Sequence, residues 1–249
     1  MLRDLKIWLN HFEYHAEHPR CVPRGLPNVL APAERRLIAR SIATFQLGEQ
    51  SPGGTLLRAT RRFAQAHDAP ALLRIMELLV GEEQRHAALL RTFMQEHDIP
   101  ARHRDWTDSI FRCARRLAGL ELYLYVLICA ELIGIVYYRA LEAATGCERL
   151  KVLCRMLVAD ELAHVGFESQ LLRSLPARSS PATRVLARWA HRGFFAGAAC
   201  VVWLTHGAVL RGAGYRMGSF LRACAVQYQF QLETAAAPGG SLQRYTRSG

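Results

Sequence analysis

Residues 157–168 read Leu-Val-Ala-Asp-Glu-Leu-Ala-His-Val-Gly-Phe-Glu, and residues 79–90 read Leu-Val-Gly-Glu-Glu-Gln-Arg-His-Ala-Ala-Leu-Leu. Both lie inside long runs whose apolar residues recur every three to four positions, the spacing of one face of an α-helix. The first seam is Leu150, Cys154, Leu157, Glu161, His164, Glu168 and Leu171; the second is Leu72, Met76, Leu79, Glu83, His86, Leu90 and Phe93. In each, an acid and a histidine stand on the face that should turn to a core. Glu-x-x-His on a helix sets the two side chains about 60° and one turn apart, so both can reach a single ion.

Two further seams are interrupted by one acid: Ile38, Ile42, Phe45, Glu49, Leu56 and Leu124, Leu127, Glu131, Ile135, Tyr138. A single Glu-x-x-His is a weak signal; the heights of the acids carry more. Residues equidistant from the turn of an antiparallel helix pair face each other. Glu131 and Glu161 are equidistant from Gly146, a natural helix terminator, and Glu49 and Glu83 from residue 66, beside the turn His67-Asp68-Ala69-Pro70. The halves also repeat, with 82 positions from Glu49 to Glu131 and 78 from both Glu83 to Glu161 and His86 to His164. Each pair thus delivers three ligands at mid-height, and packing the pairs together gathers four carboxylates and two imidazoles. Read as salt-bridged core residues, the acids would need cations, because unpaired buried charge is costly. The seams hold no Arg or Lys, whereas two divalent ions would balance four carboxylates.

The rest of the chain agrees with a helical, core-forming protein. Hydrophobic residues are 51% of 249 and charged residues 21%, which excludes global disorder. The net charge of +11 admits a nucleic acid or an anionic membrane surface as partner, but the arginines are scattered in twos and threes rather than gathered into a compact run. Seven cysteines without a CxxC pair argue against a disulfide framework or a cysteine-bound zinc, and imply a reducing compartment. Charges at Arg3, Asp4 and Lys6 break the apolar core that a signal peptide needs, so the expected location is cytoplasmic. Leu117–Leu141 and Phe194–Leu210 are apolar enough to suggest membrane spans, but Glu131 near the middle of the first favours buried helices.

The expected organisation is an irregular segment 1–31 broken by Pro19, Pro23, Gly25 and Pro27, then a helical domain 32–176, C-terminal helices over 177–235 and a flexible tail 236–249. Within the domain, one helix should run from 32 to about 66 with a kink at Ser51-Pro52-Gly53-Gly54, a second from 70 to before Pro100, a third from about 108 to 145 and a fourth from about 148 to 175.

The Glu, Glu-x-x-His, Glu, Glu-x-x-His pattern over about residues 35–175 resembles the ferritin-like di-metal carboxylate superfamily. The resemblance implies an all-α fold, an antiparallel four-helix bundle with additional C-terminal helices. It also implies that Glu49, Glu83, His86, Glu131, Glu161 and His164 are metal ligands, with Glu83 and Glu161 bridging. Asp160 and Glu82, one residue before the ligand glutamates, would orient the ligating histidines across the site. Iron-storage ferritins usually lack the second Glu-x-x-His, rubrerythrins usually add a cysteine-rich module, and the N-oxygenase branch adds a histidine where this chain has Leu157.

The expected function is therefore a di-iron, oxygen-activating oxidoreductase of the hydroxylase or monooxygenase type. It would hold two Fe ions, with Mn as an alternative, and use O2 or peroxide as oxidant. A small organic molecule would be the substrate, an external electron donor is required because no flavin motif is visible, and the resemblance implies a homo-oligomer. Rival readings are a di-manganese or di-iron enzyme that decomposes peroxide, and a non-catalytic metal-binding protein. Glu168, on the ligand stripe four residues after His164, suggests an added acid or proton relay, against a helix-end acid paired with Arg139 or another arginine. Tyr138 is either core or a proton or radical carrier, and Gly134 either leaves room for oxygen or substrate or lets helices pack closely. His11, Glu13, His15 and His18 form a polar cluster, either a second metal site or a solvated segment.

Overall fold

The computed structural model describes residues 5–103, 119–175 and 181–234. Among them the chain is all-helical: α1 (Leu5–Glu17), α2 (Pro32–Glu49), α3 (Gly54–Ala66), α4 (Pro70–Glu96), α5 (Leu120–Ala143), α6 (Glu148–Ser174), α7 (Pro181–Gly212) and α8 (Met217–Thr234). Proline occupies the first turn of α2 and α4, where its missing N–H costs nothing. Asp68 and Asp98 take left-handed backbone conformations just past α3 and α4, a turn that a short polar side chain tolerates. The turn between α5 and α6 is fastened from outside, because the Gly146 N–H donates to Glu34 of α2 at 2.6 Å.

Two expectations are corrected. The first is the irregular N-terminal segment: residues 5–17 form a helix, and only the proline-containing stretch after it is irregular. Its apolar residues Trp8 and Phe12 are four apart on one face and fully packed, and tertiary burial of that face sustains a short helix. The second is the single kinked helix over 32–66, which is two helices separated by residues 50–53. Gly53 sits at φ +64°, and a Cβ there would meet Val80 at 2.6 Å, so the chain turns tightly against α4 instead of bending. The tail 236–249 and the expected third-helix residues 108–118 lie outside the described residues.

The four predicted seams are inward-facing. Leu72, Met76, Leu79, His86, Leu90 and Phe93 on α4, and Leu150, Cys154, Leu157, Glu161, His164, Glu168 and Leu171 on α6, are all buried. Helices α5 and α6, joined by four residues, pack along their lengths, with Arg155 meeting Glu142 near the turn at 3.6 Å. Helices α2 and α4 run antiparallel: Arg35 donates to the Asp98 carbonyl at 2.7 Å and Gln46 to the Ala87 carbonyl at 3.4 Å, a register that sets Glu49 level with Glu83. The core is layered. One apolar cluster holds Ile38, Leu90, Tyr138 and Leu157; another holds Phe12, Leu79, Leu127 and Phe167. The acids and histidines lie between them along every seam. A third cluster, with Ile133, Ala199 and Phe220, joins α5 to α7 and α8.

Two helices are long and apolar enough to cross a membrane, Leu120–Ala143, whose most apolar window is 72% buried within the fold, and Leu186–Gly212, for which the figure is 39%. Most of the first is a core helix carrying Glu131. The second is more exposed, with Trp189 and Leu204 open to solvent.

Candidate metal centre

Six side chains from four helices converge. Glu49, Glu83, His86 and Glu161 form one group and Glu83, Glu131, Glu161 and His164 a second, the potential ligand atoms in each lying within 4.8 Å of one another. The groups overlap in Glu83 and Glu161, the two residues expected to bridge. Helix α2 supplies Glu49, α5 supplies Glu131, and α4 and α6 supply a Glu-x-x-His each.

The donor atoms converge on a common centre. Each histidine turns Nε2 outward: His86 Nε2 donates to Asp160 at 3.0 Å and His164 Nε2 donates to Glu82 at 2.9 Å. That leaves both Nδ1 atoms facing the centre. His86 Nδ1, His164 Nδ1, Glu83 Oε1, Glu161 Oε2 and both oxygens of Glu131 are buried and have no hydrogen-bond partner. His164 Nδ1 and Glu83 Oε1 approach to 3.0 Å without hydrogen-bond geometry. Buried polar atoms are nearly always satisfied, so this many orphans in one place call for a missing partner. Among the described residues, no arginine or lysine pairs with Glu49, Glu83, Glu131, Glu161 or Glu168. Carboxylate and imidazole donors, four acids and two histidines, fit two divalent ions of the iron or manganese type.

Burial and neighbouring charges set the electrostatics of the group. Burial raises the Glu49 and Glu131 carboxyls well above the usual range, and neighbouring charges (Glu83 for Glu49, Glu168 for Glu131) push the same way. Burial alone would lower His86, but the hydrogen bond to Asp160 and the nearby carboxylates of Glu161 and Glu83 outweigh it and hold the imidazole up to about 10. Burial would raise Glu83, but the contact with His164 dominates and brings it down to about 2.

The outer layer is tied down from several sides. Asp160 is held by Arg20, and Arg85 donates to Glu82 at 3.0 Å while lying 3.7 Å from Asp160. Both expected positioning acids are therefore where the reading of the sequence put them, each beside the histidine of the other helix. Glu168 is fully buried next to Glu131, and burial pushes its carboxyl up to about 8; Arg139 instead donates to Gln227, which removes the helix-end ion pair as its explanation. Tyr138 is buried and donates to Glu49.

No family model, no curated protein and no solved structure matches this chain.

Sequence reasoning missed the role of α1. Phe12 stacks on His164 with ring centroids 5.9 Å apart, and Trp8 packs on Phe167 and donates from its indole to Gln170 at 2.6 Å. The N-terminal helix is thus a wall of the centre. The signal was present in Trp8 and Phe12 at helical spacing, but the prolines beyond Glu17 masked it. Arg20 carried no local signal, since its partner is 140 positions away; Arg85, three residues after Glu82, was readable. His15, Glu82 and Asp160 also approach within 4.8 Å, but Arg20 and Arg85 already supply the positive charge there. His11 lies against His15, ring centroids 4.5 Å apart.

Proposed function

We propose that α2, α4, α5 and α6 form a ferritin-like antiparallel four-helix bundle and that the protein is a di-iron oxidoreductase that activates oxygen to oxidise an organic molecule. The observation that carries this reading is the pair of overlapping donor groups sharing Glu83 and Glu161, with unsatisfied oxygens and Nδ1 atoms turned toward one point. Glu49 and His86 would bind one ion, Glu131 and His164 the other, and Glu83 and Glu161 would bridge them.

The bound metals would supply Lewis acidity and redox chemistry toward O2 or peroxide. The chain's own residues do the rest. Asp160 and Glu82 fix the tautomer and orientation of the histidines. Tyr138 and Glu168, touching or flanking Glu49 and Glu131, are placed to donate or accept a proton at those carboxylates. The apolar layers above and below exclude water from the centre.

Electrons would come from an external donor. The scattered cysteines, free in every described case, support a reducing, cytoplasmic setting. A cavity beside the four inner carboxylates, larger than peroxide requires, favours oxidation of a substrate over peroxide decomposition. Protein loaded with Fe(II) should consume O2 when supplied with a reductant, and Glu161→Ala should abolish that consumption. Oxygen release from peroxide without reductant, with manganese bound, would replace this reading by the peroxide-decomposing one; metal binding with neither activity would make the protein a metal-binding one only.

A further inference from the structure

Beside the inner carboxylates the chain encloses a cavity of about 160 Å3, whose floor is Glu49, Glu83, Glu131 and Glu161 and whose walls come mainly from α2, α5 and α7. We propose that this cavity is the substrate site, and that the substrate is a neutral, predominantly apolar molecule about the size of a single aromatic ring. The inference rests on the metal-centre reading above and specifies what that centre acts on.

Volume sets the size. An apolar cavity of about 150 Å3 in another protein accepts benzene, so this one, which opens at a mouth, has room for one ring beside the carboxylates.

Wall chemistry sets the polarity. Phe45, Leu79, Leu127, Ile133 and Val202 present apolar surface, and among the described residues no Arg or Lys lines the cavity. Four polar side chains of the wall, Thr44, Thr205, Tyr138 and His206, are hydrogen-bonded within the protein, and Ser51 lies at the mouth. Thr44 and Thr205 donate to the carbonyls of Arg40 and Val201 within their own helices, at 3.1 and 2.8 Å. Tyr138 donates to Glu49, and His206 Nδ1 lies 2.8 Å from the Ser41 hydroxyl, which in turn donates to Tyr137. Satisfied groups offer a ligand little net gain, so recognition falls to apolar contact.

Charge sets the valence. Two divalent ions among four carboxylates would leave the floor near neutral, and the described wall residues hold no counter-charge for an anion. An ionised ligand would surrender its hydration without a partner.

Two glycines keep the space open. Gly134, one turn beyond Glu131 within α5, faces the cavity, and a Cβ built there meets nothing nearer than the Tyr138 ring at 3.9 Å; one built at Gly48 meets nothing within 4 Å. Close helix packing therefore does not require either glycine. A glycine inside a helix costs about 1 kcal/mol relative to alanine, and at Gly134 that cost preserves cavity volume. The half-buried residues Ser51, Val201 and Thr205 and the exposed Gly48 mark the mouth, between the α2–α3 connection and α7.

The test is a titration of the full chain, metal-free and metal-loaded, with fluorobenzene and separately with 4-fluorobenzoate, followed by 19F NMR. Fluorobenzene should bind, and 4-fluorobenzoate more than about tenfold more weakly. Gly134→Leu, which fills the cavity while favouring helix, should weaken fluorobenzene by more than about tenfold with no fall in Tm and unchanged metal content. Val202→Trp, blocking from α7, should do the same and serves if Gly134→Leu does not fold. No fluorobenzene binding, equal or tighter 4-fluorobenzoate binding, or undiminished binding in the blocked variants would overturn the proposal. Metal uptake separates the two readings: fluorobenzene binding by protein that takes up no iron or manganese removes the metal centre and leaves the cavity, and metal uptake without fluorobenzene binding does the reverse.

Discussion

Asp160 accepts a hydrogen bond from His86 Nε2 at 3.0 Å across the gap between α6 and α4, and is itself held by Arg20 from the segment after α1. Glu82 and His164 repeat the arrangement in the opposite direction at 2.9 Å, with Arg85 in place of Arg20. Each Glu-x-x-His helix thus carries, one residue before its Glu, the acid that hydrogen-bonds the other helix's histidine. Both imidazoles are thereby held with Nδ1 inward.

Loss of this outer layer should cost metal affinity. Asp160→Asn keeps the shape but removes the charge that favours Nε2–H. It should weaken metal binding about 10–100-fold, measured by competition with a chromogenic chelator. Wild-type affinity in Asp160→Asn would contradict the positioning role.

The inner acids should weaken the metal-free protein. Both Glu131 oxygens are buried without a partner, and burial holds the carboxyl neutral well above its usual range. Replacing such a group by an apolar side chain of similar volume is neutral or favourable. Glu131→Leu should therefore raise stability in EDTA by about 1–3 kcal/mol in urea unfolding, while eliminating one of the metal sites. A loss of about 3–5 kcal/mol would instead identify Glu131 as one half of a structural ion pair.

Much of this centre was legible because it is built from local periodicity. Glu49, Glu83, His86, Glu131, Glu161 and His164 are recognisable on helix seams, and their heights follow from counting to Gly146 and residue 66. What periodicity does not encode is contact at long range. Arg20 meets Asp160 and Phe12 meets His164 only through docking of α1 on α4, a tertiary event with no spacing rule. The break at residues 50–53 was read as a kink because proline and glycine mark an interruption without specifying its angle. The close approach of Val80 to Gly53 decides that angle.

The N-terminal helix should prove part of the centre. Phe12 is fully buried against Phe167 and His164. Phe12→Ala should cost about 3–5 kcal/mol and increase metal dissociation, because it empties the space behind a ligating imidazole. Stability within about 0.5 kcal/mol of wild type would show that α1 does not dock as described.

Docking of α1 should also be acid-labile. Burial, with help from the neighbouring His15, holds His11 down to about 4 against 6.5 in the unfolded chain. Between these values the unfolded state binds the extra proton, so the contribution is complete above pH 6.5 and is lost as pH falls toward 4. Discounted for partial exposure, the loss between pH 7 and 5 should be about 1 kcal/mol. Urea midpoints of wild type and His11→Gln at the two pH values check it; parallel declines would contradict it.

The central claim is that six side chains on four helices hold two ions through two shared carboxylates. It is tested most directly by elemental analysis of metal per chain in protein made with iron and manganese supplied, for wild type, Glu49→Ala, Glu131→Ala and Glu161→Ala. The account predicts about two ions in wild type, about one in each of the first two variants, and close to none when the shared Glu161 is removed. Wild-type protein without bound metal, or a metal content indifferent to Glu161→Ala, would contradict it.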